Sequence, residues 1–335
     1  MRDMFRSVKL RTKIIIVIAI LASILVPVIM RDNRYYMNIF INLAIYVILG
    51  SSMNLLIGYS GQISLGTAGF YGIGAYTSVL LVMNCGVPFP IALIAAVVLC
   101  FLVGFVLGFP ATKLNFIFLG LSTAGINTII YLIINNSQFT GGASGITGIR
   151  QVQWFGENMN KLQYYLMTLA FVLVVLFICF RLVNSKTGRA LKAIKGNQIA
   201  AAAMGINVNR YKLLIFAITS AMCGLAGVLY AFNIRYIQAE AFTVNNMSFK
   251  ILTMGIIGGM GDLGGGVLGS LIAGLLPELL RNFSRYELTI YGALIVIILR
   301  FMPRGIVYPI QLGLDKLESL FRKKQKEPAD TGKEV

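Results

Sequence analysis

The sequence predicts an all-α, polytopic transmembrane helical bundle of about ten spans, with glycine-rich helices that are broken or closely packed, and three observations carry that expectation. Hydrophobic residues make up 57% of the chain and charged residues 12%, with a mean hydropathy of +0.80, far too apolar for a water-soluble chain of 335 residues. The apolar residues gather in runs near the roughly 20 residues that a helix rising about 1.5 Å per residue needs to cross the hydrocarbon. The net charge of +17 is concentrated, with five of the 29 Lys/Arg in residues 1–13, seven in 181–212 and eight from Arg300 onward. Cations clustered at membrane edges set orientation, so all three clusters belong on the cytoplasmic side and nucleic acid is not the expected partner.

These clusters divide the chain into a cytoplasmic amino-terminal segment (1–13), a transmembrane domain (14–302) and a mixed-charge cytoplasmic tail (303–335). The first span, 14–30, has no small-residue cleavage site behind it and reads as retained. The second, 35–57, carries Asn38, Asn42 and Asn54, which hydrocarbon would penalise and which should face other helices or a water-filled path. In 58–81, Gly58, Gly61, Gly66, Gly69, Gly72 and Gly74 remove side-chain bulk from one region, favouring close helix contact, a broken helix or a pathway. Span four, opened by Pro88 and Pro90, carries a Gly104/Gly108 pair, and Lys113 marks a short inside turn. Span five, 115–134, places Ser122, Thr123, Asn127 and Thr128 inside the membrane, a neutral lining suited to zwitterionic or uncharged cargo.

Residues 135–163 form the largest loop on the opposite face, and its run TGGASGITGI can only be irregular. Span six, 164–180, returns the chain to the basic side, and span seven, 213–232, holds Gly224 and Gly227. A second glycine centre spans 256–280, where Gly261, Gly265, Gly269 and Ala273 recur every fourth residue, as on one helix face. Residues 251–260 are short for a span, yet sidedness requires a crossing, and full crossing or re-entry over 249–262 stays open. A last short span covers 288–301. Aligning 58–74 with 258–274 superposes glycines 58, 61, 66, 69 and 74 on 258, 261, 266, 269 and 274, which raises an internal repeat.

The stretch 181–212, RLVNSKTGRALKAIKGNQIAAAAMGINVNRYK, is a polar interlude with seven cations and no acid. Thr187 can cap a first short helix that Gly196 ends, and Asn197 a second that ends at Gly205, because Thr and Asn accept from free amides while Gly turns left-handed. Arg189, Lys192 and Lys195 recur every third residue on the first helix, and Ala200 to Met204 make the second compact enough for a groove. A basic loop that only fixes orientation is the simpler alternative.

The wording of this loop carries a resemblance. GRALKAI and IAAAAMGINVNRYKLL resemble the cytoplasmic coupling loop of ABC importer permeases, specifically the branched-chain amino-acid permeases of the LivM type. GYSGQISLGTAGFYGIGAYTSVLL, TGGASGITGI, CGLAGVLYA and IIGGMGDLGGG are similar to further phrases of that family. Three positions depart from it: Gln198 stands where an acid is usual, and Gly264 and Gly266 where a tryptophan and a proline are common.

The resemblance implies a permease subunit of an ATP-binding cassette importer that moves leucine, isoleucine and valine across the inner (plasma) membrane of a prokaryote, with both termini cytoplasmic. It implies a second, related permease as heterodimer partner, two ABC ATPase subunits and an extracytoplasmic substrate-binding protein. It places ATPase coupling on Thr187, Gly188, Arg189, Lys192, Lys195, Gln198, Ala200, Ala201 and Gly205. Pathway or helix packing falls on Gly58, Gly61, Gly66, Gly69, Ser122, Thr123, Asn127, Gly258, Gly261, Gly265 and Gly269. No cofactor is expected in this chain, with ATP and Mg on partner subunits.

The absences in the sequence agree. There is no histidine, the commonest general base and metal ligand, and no GxxxxGK[ST] phosphate cradle, so neither enzymatic catalysis nor nucleotide hydrolysis is expected here. Cys85, Cys100, Cys179 and Cys223 show no CxxC spacing and read as packing residues. The alternatives are an ABC permease for urea, amides or sugars, and a proton-coupled secondary transporter built on Asp262, the one acid deep in an apolar stretch. A cap at a helix start is the plainer role for Asp262.

Overall fold

A computed structural model describes residues 33–279 apart from 112, 113, 115, 155 and 156, with scattered positions in 23–30 and 289–300. The regular structure in this range is helical except for one two-residue antiparallel pair, Gln153–Trp154 with Glu157–Asn158, inside the large loop. The helices are α1 (Arg34–Met53), α2 (Thr67–Asn84), α3 (Phe89–Ala111), α4 (Phe116–Asn136), α5 (Lys161–Val183), α6 (Lys186–Gly196), α7 (Gln198–Ala203), α8 (Val208–Ile234), α9 (Phe249–Gly258) and α10 (Leu263–Leu279).

Local chemistry sets the starts. Asn33 accepts from the Tyr35 amide at α1, and Asn160 and Gln163 form a capping box at α5. Asn207 accepts from the Arg210 amide at α8.

Helix α8 is the centre, packed against α2 and α3 and also against α1. It sits close to its neighbours because small residues face one another. A Cβ at Gly74 of α2 would strike the Gly224 backbone, one at Gly227 the Tyr71 carbonyl, and one at Gly104 of α3 would lie 2.5 Å from Ser220 Cβ. In hydrocarbon, where apolar burial gains little, such close approach is what holds helices together. Tyr164 of α5 adds a hydrogen bond, its hydroxyl donating to Leu229 O at 2.7 Å. Cys100, Cys179 and Cys223 are buried in the bundle, and all four cysteines are free thiols.

Among the described residues, five helical stretches are long and apolar enough to span a membrane: Arg34–Tyr59, Phe89–Pro110, Phe118–Asn136, Lys161–Val183 and Val208–Ile234. The expected count of about ten is not reached among the described residues, and the reason is physical. The glycine-rich segments supply broken helices in place of whole ones. Helix α1 runs into a π-helical turn at Asn54–Tyr59, residues 61–66 are unwound, and α2 begins only at Thr67. Beyond α8, the chain pairs Ile237 with Ile146 of the large loop, then passes through a 3-10 turn (Ala239–Phe242), a π turn (Val244–Ser248) and the ten-residue α9 to a tight turn at 259–262. That turn packs against Gly58 and Lys195, at the end of the bundle opposite to Ile146. The segment therefore traverses the bundle as a relay of short pieces. The Lys113 turn and all but scattered positions of the expected spans 14–30 and 288–301 lie outside the described residues.

The proposed repeat has one structural counterpart. Gly61 and Gly261, superposed by the alignment, both have left-handed backbone, with φ of +69° and +99°, and both form turns at the same end of the bundle.

Candidate coupling and pathway site

At the bundle end away from Ile146, α6 and α7 form the helix, turn and helix expected of 181–212. Two caps follow the expected chemistry: Asn197 Oδ1 accepts from the amides of Ile199 at 2.9 Å and Ala200 at 3.1 Å, and Gly205 turns left-handed at φ +82°. Two do not. The cap of α6 is Ser185, whose Oγ accepts from the Gly188 amide at 3.4 Å, so Thr187 lies within the first turn. Gly196 is not left-handed; the helix ends there because Asn197 is extended, with φ −156°.

Helix α6 is amphipathic. Ala190, Leu191 and Ile194 are buried together with Gly188, whose hydrogen abuts the Val183 carbonyl, while Arg189 and Lys192 are exposed. Two of the three periodic cations turn back onto the bundle. Lys192 Nζ lies 5.5 Å from the Tyr59 ring centroid, and Lys195 Nζ donates to Gly58 O at 2.6 Å. Much of the Lys195 side chain is exposed, but its ammonium is turned inward, and loss of water there lowers its pKa from the ordinary lysine value.

In α7 only Ala201 is buried; Ala200 is exposed, and Ile199 and, at the end of the helix, Met204 are 84% and 83% exposed. The apolar groups open to a partner are therefore Ile199 and Met204, which the alanine run had masked. Gln198 Oε1 accepts from Lys212 Nζ at 2.9 Å, so a neutral amide fills the place of the expected acid.

The second glycine centre meets the first beside this element. Asn54, fully buried in the π turn, holds the 259–262 turn with both ends of its amide: Oδ1 accepts from Gly261 N at 2.9 Å, and Nδ2 donates to Gly259 O at 3.4 Å and to Asp262 O. Gly58 and Gly261 are in direct contact, and Gly258 is pressed against Gly265 and Gly269 across the α9–α10 hairpin. The predicted four-residue stripe is corrected here. Gly261 belongs to the turn, because α10 starts at Leu263; Gly265, Gly269 and Ala273 remain, all buried. Asp262 Oδ1 accepts from the Gly264 amide at 3.0 Å, the geometry of a helix-start cap on a partly exposed turn.

Higher in the bundle, the start of α2 is ringed by hydroxyls. Thr123 Oγ1 accepts from Leu65 N at 3.0 Å and Ser248 Oγ from Ala68 N at 3.2 Å. Gly66 and Gly69 face Thr123 and Asn127 of α4, and Asn127 Nδ2 donates to Phe242 O at 3.3 Å. Buried polar atoms without a protein partner gather in the same region: both amide atoms of Gln62, Thr67 Oγ1 and Asn127 Oδ1. Ser122 is half-buried and Thr128 is exposed on the outer face of α4, so the neutral lining is narrower than its four residues suggested. Gly61 is covered by the stem of Lys195. Sequence reasoning did not single out Gln62, Thr67 and Ser248; their signal is polarity inside apolar or glycine-rich runs.

At the opposite end, Lys161 Nζ donates to Asn38 Oδ1 at 2.8 Å and Asn233 Oδ1 at 3.0 Å, and Asn233 Nδ2 to Asn42 Oδ1 at 3.2 Å. Asn38, Asn42 and Asn54 thus all serve contacts to other elements. A cleft of about 470 Å³ opens nearby between residues 86–90 and 150–153.

Long apolar helices, two broken-helix turns packed together and a basic two-helix appendage at one end define a membrane permease. The chain belongs to the family described as branched-chain amino acid transport system / permease component, whose model matches residues 35–299. It is 33% identical over 288 residues to the high-affinity branched-chain amino acid transport system permease protein LivM of Escherichia coli, covering 78% of this chain and 68% of that one. It is 27% identical to the probable branched-chain amino acid transport permease protein LivM of Methanocaldococcus jannaschii, over 78% of this chain and 90% of the relative. The fructose import permease protein FruG of Bifidobacterium longum is 26% identical over 74% and 75%. No solved structure matches the chain.

Proposed function

We propose that this permease imports leucine, isoleucine and valine as one subunit of an ATP-binding cassette transporter. The observation that carries the cargo is the 33% identity to a branched-chain amino acid permease, above the 26% to a fructose permease. The partners are a second, related permease, two ATPase subunits that hold ATP and Mg, and an extracytoplasmic binding protein. The end bearing α6 and α7 faces the cytoplasm, with both termini on that side, and the 137–160 loop with its neighbouring cleft faces the binding protein.

In this reading α7 enters a groove of the ATPase through Ile199 and Met204, with Arg189 of α6 beside them. Asp262 serves as a helix cap in this reading and not as a proton-coupling group. Cargo passes by parting of the packed glycines and hydroxyls at Gly66, Gly69, Thr123 and Asn127, where buried unpartnered polar atoms favour a polar guest over hydrocarbon. The test is co-expression with the neighbouring operon genes, reconstitution in liposomes, and measurement of ATP hydrolysis and uptake with each candidate cargo. Stimulation by leucine, isoleucine or valine through the binding protein supports the proposal, and stimulation by a sugar alone overturns it.

A further inference from the structure

Lys195 and Asn54 lie on either side of the point where the two glycine centres touch. Lys195 comes from α6, and its ammonium caps the Gly58 carbonyl at 2.6 Å, at the end of the π turn where backbone carbonyls lose their helical partners. Four residues earlier in the same turn, Asn54 binds three backbone groups of the 259–262 turn, and Gly58 itself lies against Gly261. Gly259 and Gly261 have φ of +111° and +99° and Gly61 has +69°, so both turns are held in backbone states that other residues rarely adopt. The side chain of Lys195 also touches both turns: its stem covers Gly61, and its amine is 3.7 Å from where a Gly261 Cβ would stand.

We infer that Lys195 and Asn54 are positioning residues forming a clasp, through which displacement of α6 moves the Asn54–Gly61 turn and the 259–262 turn together. The inference rests on the importer reading above and specifies how its loop reaches the interior. Each link is a hydrogen bond to backbone, so the clasp fixes where the turns go without depending on their side chains. Helix α9 and the start of α2 leave these turns toward Ser248, Leu65 and Ala68, which are joined by hydrogen bonds of 2.7 and 3.2 Å. Motion of the clasp thereby reaches the hydroxyl ring at the start of α2. A cation that only orients the loop would have no need of a carbonyl partner inside the bundle.

The experiment uses the whole reconstituted transporter with its ATPases and binding protein. Lys195→Met keeps the stem over Gly61 and removes the ammonium; Lys195→Arg keeps a cation; Lys186→Met, on the exposed side of α6, is the control. The expected result is at least a tenfold fall in cargo moved per ATP hydrolysed for Lys195→Met, with half-saturation for cargo and subunit assembly unchanged. Lys195→Arg should recover most of the loss, and Lys186→Met should match wild type. Normal coupling in Lys195→Met, or equal losses in all three variants, overturns the clasp and leaves the importer reading intact. Uptake by the wild type without ATP overturns that reading, and the clasp with it.

Discussion

Lys212 Nζ donates to Gln198 Oε1 at 2.9 Å, joining the first residue of α7 to the first turns of α8 across the left-handed corner at Gly205. The lysine is 4% exposed and has an uncharged partner. The bond already has an ionised donor, and replacing the amide by a carboxylate would turn it into an ion pair, adding the attraction of opposite charges. Gln198→Glu is therefore expected to stabilise the corner by about 0.5–1 kcal/mol. Thermal unfolding in detergent should show a higher midpoint, and amide exchange in α7 should slow. A lower midpoint would mean that the loss of water around the pair outweighs its attraction.

The contact between α2 and α8 leaves no room for a side chain at Gly74, because the group in the way is the Gly224 backbone. Gly74→Leu should force the helices apart, at a cost of about 3 kcal/mol or more, and yield aggregated protein on size exclusion. Gly125→Leu on α4, where nothing lies within 4 Å of the added carbon, should stay within about 0.5 kcal/mol of wild type and remain monodisperse.

Gly69 is a different case. An added Cβ would lie 2.7 Å from Asn127 Oδ1 and 2.8 Å from Ile130 Cδ1, both ends of side chains. Gly69→Leu is expected to insert and fold by displacing them, and to block uptake by filling the space between α2 and α4. Gly66→Leu should act similarly, with Thr123 O 3.1 Å from the added carbon. Full uptake by both variants would make these glycines packing residues only.

For the loop, the two exposed apolar side chains on α7 and at its end should report docking, and the buried alanine of α7 should report folding. Ile199→Glu and Met204→Glu are expected to leave the bundle intact and abolish co-purification of the ATPases. Ala201→Glu buries a charge against this chain itself, which costs several kcal/mol and should unseat α7 locally. Gly205→Val meets no neighbour but places a β-branched residue at φ +82°, a strain of about 1–2 kcal/mol that should loosen the corner. ATPase retained by Ile199→Glu and Met204→Glu together would remove α7 as the docking element.

Sidedness is checked by single cysteines at Asn197 and Asn158, both exposed, placed in a variant lacking the native thiols. An impermeant reagent outside intact cells should label the cysteine at 158 alone. Labelling of both would contradict the orientation assigned from the basic clusters.

What the sequence determined by itself was the class: composition requires a lipid-embedded helical chain, charge clustering requires a loop at 181–212, and the small polar residues Asn197 and Gly205 suffice to place a helix, turn and helix there. Those signals act over a few residues, so they survive without a fold. It also marked both glycine centres, but not their form, since glycine permits close packing and helix breaks alike. Only the tertiary structure decided that Gly61 and Gly261 are left-handed turns, that Gly261 leaves the helical stripe, and that Asn54 and Lys195 meet there from 141 residues apart in sequence. The cap at Ser185 in place of Thr187 was a contest between two equivalent hydroxyls, settled by where α5 ends. Ile199 and Met204 were hidden for the same kind of reason: which side of a six-residue helix faces outward depends on what Ala201 packs against, and that neighbour is fixed by the fold.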